Sequence, residues 1–315
     1  MSPPHFLAIV GPTASGKTGL SLEVGKRLAG EVISMDSRQI YRGMDIGTGK
    51  VTLRERAILP HHGLDLRDPD ERYSAGQFAR DARGWIEDIR GRGRVPMLVG
   101  GTGFFLKALT EPMFREPEVD KERLERLRGF LNQLGPGRLS DFVRTLDPER
   151  EGVAEGGRQR ATRTVEMALL TGRPLSWWHA EGEPSVDPLQ SLIVLLDLQR
   201  EVLYEKINRR VDRMVEEGLV AEVEGLLKAG YGPEDPGMTG AGYREIIRFL
   251  RGEYALEEAT VEIRQSHRNY ARRQMTWFRH QLPQGTLALD GTGTDEEMAE
   301  RVLAAWATAQ GTERS

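Results

Sequence analysis

The stretch Gly11-Pro12-Thr13-Ala14-Ser15-Gly16-Lys17-Thr18 has the spacing G-x-x-x-x-G-K-[ST] of a phosphate-cradling loop. In such a loop, backbone N–H groups and a helix N-terminus face an anion. Lys17 adds a point charge, and the Thr18 hydroxyl can hold Mg²⁺. The motif speaks for phosphate, not for ATP in particular. A carboxylate comes next: Val32-Ile33-Ser34-Met35 is an apolar run that ends in Asp36. An acid at the C-terminal end of a strand in an open α/β sheet faces the ligand crevice. There it either holds Mg²⁺ through water or serves as general base for a nucleophile bound beside the phosphate. A plain helix cap is the other alternative. Leu192 to Asp197 is a second run ending in an acid, so strand position alone does not choose between Asp36 and Asp197. Val99-Gly100-Gly101-Thr102-Gly103 follows a third run. Its glycines let backbone approach a ligand and would put Thr102 at the same sheet edge, although a strand-to-helix turn has the same composition.

A second kind of chemistry sits late in the chain. Arg264, Arg268, Arg272, Arg273 and Arg279 fall in a segment without an acid, interleaved with Tyr270, Trp277 and Phe278. Arg264, Arg268 and Arg272 are spaced i, i+4, i+8 and share a helix face. Cations with aromatics are the footprint of a nucleic-acid backbone contact, and a solvated basic face is the alternative. Gln159-Arg160-Ala161-Thr162-Arg163 is a smaller basic cluster, flanked by Glu155 and Glu166. His61-His62 lacks the spacing of a helical metal pair and suits a turn or a substrate lining. Trp177-Trp178 reads as a packing anchor for the middle of the chain.

The elements that must position these residues follow from the apolar pattern. Phe6 to Val10, Val32 to Met35, Val95 to Val99 and Leu192 to Leu196 read as buried parallel strands, with amphipathic stretches such as Ala75 to Arg90 between them. Strands alternating with helices predict an α/β fold with a parallel sheet. The gap from Glu116 to Asp187 is too long for one crossover. Its charged helical runs, Val119 to Leu134 and Ala161 to Leu170, predict an inserted all-helical domain over 116–187, with a core of 1–115 and 188–315. Glu201 to Lys228 reads as a long helical section, and Tyr254 to Phe278 as another. Thr286 to Leu289 reads as a short strand, and Glu296 to Ala309 as a last helix.

Composition narrows the class. The chain has 315 residues, no cysteine and a formal net charge of −4. Without cysteine there are no disulfides, thiolate metal sites or cysteine nucleophile. The charge argues against bulk coating of nucleic acid. Yet only 7 of the 44 basic residues are lysine, leaving 37 arginines, the side chain suited to bidentate phosphate contacts. No apolar run reaches membrane-spanning length, and Met1 to His5 lacks the basic start of a signal peptide. A reducing, cytoplasmic setting is expected.

Taken together, the motifs resemble the tRNA dimethylallyltransferases, also called tRNA isopentenyltransferases. The matching stretches are Gly11 to Thr18, Asp36-Ser37-Arg38-Gln39-Ile40-Tyr41, Met44 to Lys50, His61 to Asp65, Tyr73 to Gly76, Val99 to Gly103, Gly242-Tyr243-Arg244-Glu245 and Arg272 to Phe278. Gly49 stands where that family usually has alanine. The resemblance implies a P-loop core and transfer of a dimethylallyl group from dimethylallyl diphosphate to N6 of adenosine-37, beside the anticodon of tRNA. It places the diphosphate on Gly11 to Thr18 with Mg²⁺ on Thr18, and makes Asp36 the base. Thr102 lies at the reaction centre, and Arg210 closes over the leaving group. It also implies tRNA contacts from Asp36, Ser37, Arg38, Gln39, Gln159, Arg160, Ala161, Thr162, Arg163, Thr239, Gly242, Tyr243 and Arg244. Arg272, Arg273, Gln274, Trp277 and Arg279 complete that set, and the enzyme is expected to act as a monomer. A P-loop kinase or NTPase, or an adenylate isopentenyltransferase, is the competing reading of the same loop.

Overall fold

The computed structural model describes residues 3–153, 157–183 and 187–311. Met1, Ser2 and Glu155, named above, lie outside them. The chain divides into two compact units, 1–110 with 189–315, and 111–188.

In the first unit the elements run β1 (Phe6–Val10), α1 (Lys17–Leu28), β2 (Gly30–Ser34), α2 (Leu53–Ile58), β3 (His61–His62), α3 (Ala75–Gly91), β4 (Val95–Gly100) and α4 (Gly103–Thr110). The second unit contributes α5 (Lys121–Gln133), α6 (Pro136–Leu146), α7 (Arg158–Thr171) and α8 (Leu175–Glu181). The first unit then resumes with β5 (Ser191–Asp197), α9 (Arg200–Glu216), α10 (Leu219–Lys228), α11 (Tyr243–Leu250), α12 (Leu256–Gln281), β6 (Leu287–Asp290) and α13 (Asp295–Ala309).

The six strands form one parallel sheet in the order β3-β2-β4-β1-β5-β6. Every residue of β1 and β2 is buried. Strands covered on both faces carry apolar residues without alternation, which is why the short runs are readable as strands. Leu20 and Val24 of α1 and Val302 and Trp306 of α13 pack on β1, β4 and β5 in one apolar cluster. A second cluster joins α9, α10, α11 and α12 to Ile40, Tyr41 and Met44. The helical unit has its own core of Leu131, Leu134, Leu139, Val143, Ala161 and Val165. There Trp178 packs on Phe114 and its indole N–H donates to the Thr171 hydroxyl at 3.0 Å.

Two expectations gain detail. The helical stretch 201–228 is broken at Gly218, whose φ of 104° starts a new helix. The two histidines form a short edge strand, paired with Val32 and Ile33. Alternation along that strand sends His62 to Glu31, with Nε2 2.8 Å from its carboxylate, while His61 lines the cavity described next. Among the described residues, no helix is long and apolar enough to cross a membrane.

Candidate active site

A cavity of about 1080 Å³ opens at the C-terminal ends of the strands. Its floor is the turn between β1 and α1. Thr13 through Thr18 line it, and the Lys17 ammonium donates to the Pro12 carbonyl at 2.6 Å. Burial pulls the Lys17 pKa down to about 7; the Arg210 charge adds to that, and the Asp36 carboxylate opposes it. The three groups therefore share one electrostatic site.

Asp36 and Thr102 arrive from neighbouring strands. β2 and β4 are paired in register, and just beyond their ends the Thr102 N–H donates to the Met35 carbonyl at 3.2 Å. The Ser37 N–H then donates to the Thr102 hydroxyl at 3.1 Å, and Asp36 Oδ1 accepts from the Arg38 N–H at 2.8 Å. This crossing demands the glycines. A Cβ on Gly100 would stand 2.0 Å from the Met35 oxygen, one on Gly101 2.1 Å from Gln274 Nε2, and one on Gly103 2.1 Å from the Trp277 ring. They permit close approach of protein to protein. Asp36 lines the cavity; Asp197 does not, and its Oδ1 is buried without a partner among the described residues.

Arg210 enters from α9. Its Nη2 donates to the Thr48 carbonyl at 3.0 Å, and burial lowers its pKa. Gln274 enters from α12. Its Oε1 accepts from the Thr13 N–H and its Nε2 donates to the Gly101 carbonyl, both at 2.9 Å. One amide thus staples the phosphate loop to the Thr102 turn.

Residues 39–281 match the model of a family described as IPP transferase, and residues 4–59 match that described as isopentenyl transferase. The chain belongs to the IPP transferase family. It is 39% identical to a tRNA dimethylallyltransferase of Caldanaerobacter subterraneus over 305 residues, covering 95% of this chain and 96% of the relative. It is 42% identical to tRNA dimethylallyltransferase 1 of Pelobacter propionicus, covering 87% and 89%. Its fold is similar to that of a tRNA isopentenylpyrophosphate transferase of Bacillus halodurans, with TM-score 0.71, 36% identity and coverage of 97% and 96%. It is also similar to a eukaryotic dimethylallyltransferase described as acting on tRNA, with TM-score 0.79, 26% identity and coverage of 98% and 80%.

In this IPP transferase the expected RNA-contacting residues divide by burial. Arg244, Arg272, Arg273 and Arg279 are exposed, as are Gln159 and Arg160 in the helical unit. Thr162 is half-buried there, and Arg163 pairs with Glu116. Ala161 belongs to that unit's core. Tyr243 and Gln274 are buried and hold the site together from inside, Tyr243 by donating its hydroxyl to Glu222 at 2.6 Å. Gly242 is buried, and its N–H donates to Glu245 at 2.8 Å. Ser37 and Gln39 are half-buried; the Gln39 amide donates to the Gly49 carbonyl at 3.2 Å. Arg38 donates to the Pro236 carbonyl and reaches the Thr239 hydroxyl at 3.4 Å, and Trp277 is half-buried.

The basic face is narrower than its spacing implied. Arg264 pairs with Asp212 at 3.0 Å, and Arg268 donates to Asn208 and lies over the Tyr204 ring. Both dock α12 on α9, because the helix face they share points at its neighbour. Two further residues line the cavity: Tyr270, which the sequence presents only as an aromatic of the basic segment, and His267, which no motif marks. Tyr270 lies near Asp36; burial and that carboxylate push its pKa up to about 12. His267 is buried, with Nε2 unpartnered among the described residues.

Proposed function

We propose that this chain transfers a dimethylallyl group from dimethylallyl diphosphate to N6 of tRNA adenosine-37. The observation that carries the reading is that the phosphate loop, Arg210 and Asp36 line one cavity, with Thr102 bonded to Ser37 beside it. A loop built for phosphate, with a carboxylate beside it, suits displacement of diphosphate by a nucleophile that must lose a proton.

The C1–O bond of the donor breaks and its electron pair leaves with diphosphate. The N6 lone pair forms the new bond to C1, and the N6 proton goes to the Asp36 carboxylate. Loop N–H groups, Lys17 and Arg210 stabilise the charge on the departing diphosphate. Thr102, fixed by Ser37 and Met35 next to Asp36, is assigned by this reading to the meeting point of donor and acceptor. Thr18 offers a hard oxygen on the cavity wall, beside the phosphate loop. That suits Mg²⁺, which prefers one or two protein oxygens plus phosphate. When bound, the ion neutralises diphosphate charge. The adenine reaches such a cavity only unstacked, which costs a few kcal/mol and favours a single-stranded loop as substrate. The exposed arginines of α12 supply backbone contacts for it.

The test is a transfer assay with radiolabelled dimethylallyl diphosphate, Mg²⁺ and unmodified tRNA, with AMP and ATP in parallel. Label in tRNA alone supports the proposal. Label in AMP moves the substrate to a free nucleotide. Phosphate release from ATP without label transfer refutes it.

A further inference from the structure

The Thr48 carbonyl that receives Arg210 lies on a loop between Ile40 and α2, and one carboxylate outside the cavity holds that loop. Glu222 of α10 accepts from three consecutive backbone N–H groups. Those of Asp45 and Ile46 reach Oε2 at 2.8 and 2.7 Å, and that of Gly47 reaches Oε1 at 3.0 Å. The Tyr243 hydroxyl donates to Oε1 at 2.6 Å. Three successive amides around a carboxylate form an anion nest, and four donors from two segments fix the carboxylate as well.

The clamp ends one residue before the contact that matters. Thr48 takes the Arg210 bond, and Gly49 leaves the room for it: a Cβ there would stand 1.9 Å from Arg210 Nη2. Arg210 Nε is buried with no partner among the described residues. The guanidinium therefore takes its placement from this loop. Gly47, Thr48 and Gly49 line the cavity, whereas Glu222 does not.

We propose that Glu222 is the positioning residue for Arg210. It fixes the amides of 45–47 and so sets the carbonyl that holds the guanidinium at the diphosphate site. This rests on the reading of Arg210 as the residue that closes over the leaving group. The loop has a second anchor that does not pass through Glu222. The buried Lys50 ammonium donates to Asp45 and Asp65 carboxylates at 2.5 and 2.6 Å and to the Tyr41 carbonyl at 2.8 Å. Removing the clamp thus loosens the Thr48 carbonyl and leaves the loop in place.

The test is a double-mutant cycle of Glu222→Gln and Arg210→Ala, reading prenyl transfer, calorimetric binding of inorganic diphosphate, and melting temperature. Glutamine keeps the size of the side chain but turns one acceptor into a donor facing an N–H. Glu222→Gln is expected to lower both kcat and diphosphate affinity about tenfold, the coupling expected of groups in one network, with tRNA affinity unchanged. In the Arg210→Ala background it should change neither by more than about twofold. Multiplicative losses in the double variant would show that Glu222 acts elsewhere, and would overturn the proposal. If Arg210→Ala alone leaves transfer intact, the reading of Arg210 fails and the proposal falls with it. Should Glu222→Gln not fold, Tyr243→Phe removes one of the four donors and must show the same dependence on Arg210.

Discussion

At the scale of single residues, the proposed mechanism separates groups that do chemistry from groups that place them. Asp36 keeps one oxygen on the Arg38 N–H, and an asparagine can accept that same bond while losing basicity. Asp36→Asn is therefore expected to lower kcat by about 10² to 10⁴ while diphosphate binding survives. A turnover near that of the parent would remove Asp36 as the base. Gly49 places rather than reacts. Its φ of 57° lies in the left-handed region, where a side chain costs about 1 kcal/mol. Its missing Cβ is also the space the guanidinium uses. Gly49→Ala should push Arg210 off the Thr48 carbonyl and weaken diphosphate binding, read by calorimetry, with tRNA affinity unaltered. Diphosphate binding at parental strength would mean that Arg210 does not need its present seat.

At the scale of elements, α12 does two jobs with one composition. Arg264 and Arg268 face α9, Arg272 and Arg273 face solvent, and Gln274 turns inward to the phosphate loop. Replacing Arg272 and Arg273 by alanine should reduce the salt slope of RNA binding by about two with little change in melting temperature. Replacing Arg264 and Arg268 should leave that slope alone and lower the melting temperature by about 2–4 °C, since partly exposed pairs contribute roughly 1 kcal/mol together. Equal slopes for the two double variants would erase the division. The sequence carried the helix and its basic character, because an acid-free run of arginines at helical spacing is a local signal. It could not carry the division. The bonds that decide it join residues 52 and 60 positions apart, and those of Gln274 span 173 and 261. Such bonds leave no periodic trace. The same holds for Glu222, whose loop partners lie more than 170 residues away. The inner strands were legible for the opposite reason: burial writes a continuous apolar run, as in β1, whereas β3, two residues long, is too short to write one.

At the scale of the whole molecule, two buried groups tie the first unit's stability to pH, in adjoining windows. His267 is buried beside the Arg210 charge, and desolvation with that charge pulls its pKa down from 6.5 to about 4. The unfolded chain therefore binds more protons than the folded one between those values, and stability falls as pH drops from 6.5 towards 4. A tenfold change in proton affinity is about 1.4 kcal/mol, so this group costs on the order of 3 kcal/mol by the foot of its window. Glu31 acts lower down. Its buried carboxylate is held by Arg92, and by His62, which drop its pKa from 4.5 to about 2 against the cost of burial. Its contribution is present above 4.5 and is lost as pH falls through to 2. Acid titration of the melting temperature should then descend in two stages. His267→Gln should flatten the upper stage and leave the lower one, and Glu31→Gln should do the reverse while lowering stability at neutral pH. A single descent that neither substitution alters would place the acid sensitivity in other groups, and would mean that the unpartnered His267 nitrogen finds a proton without loss to the fold.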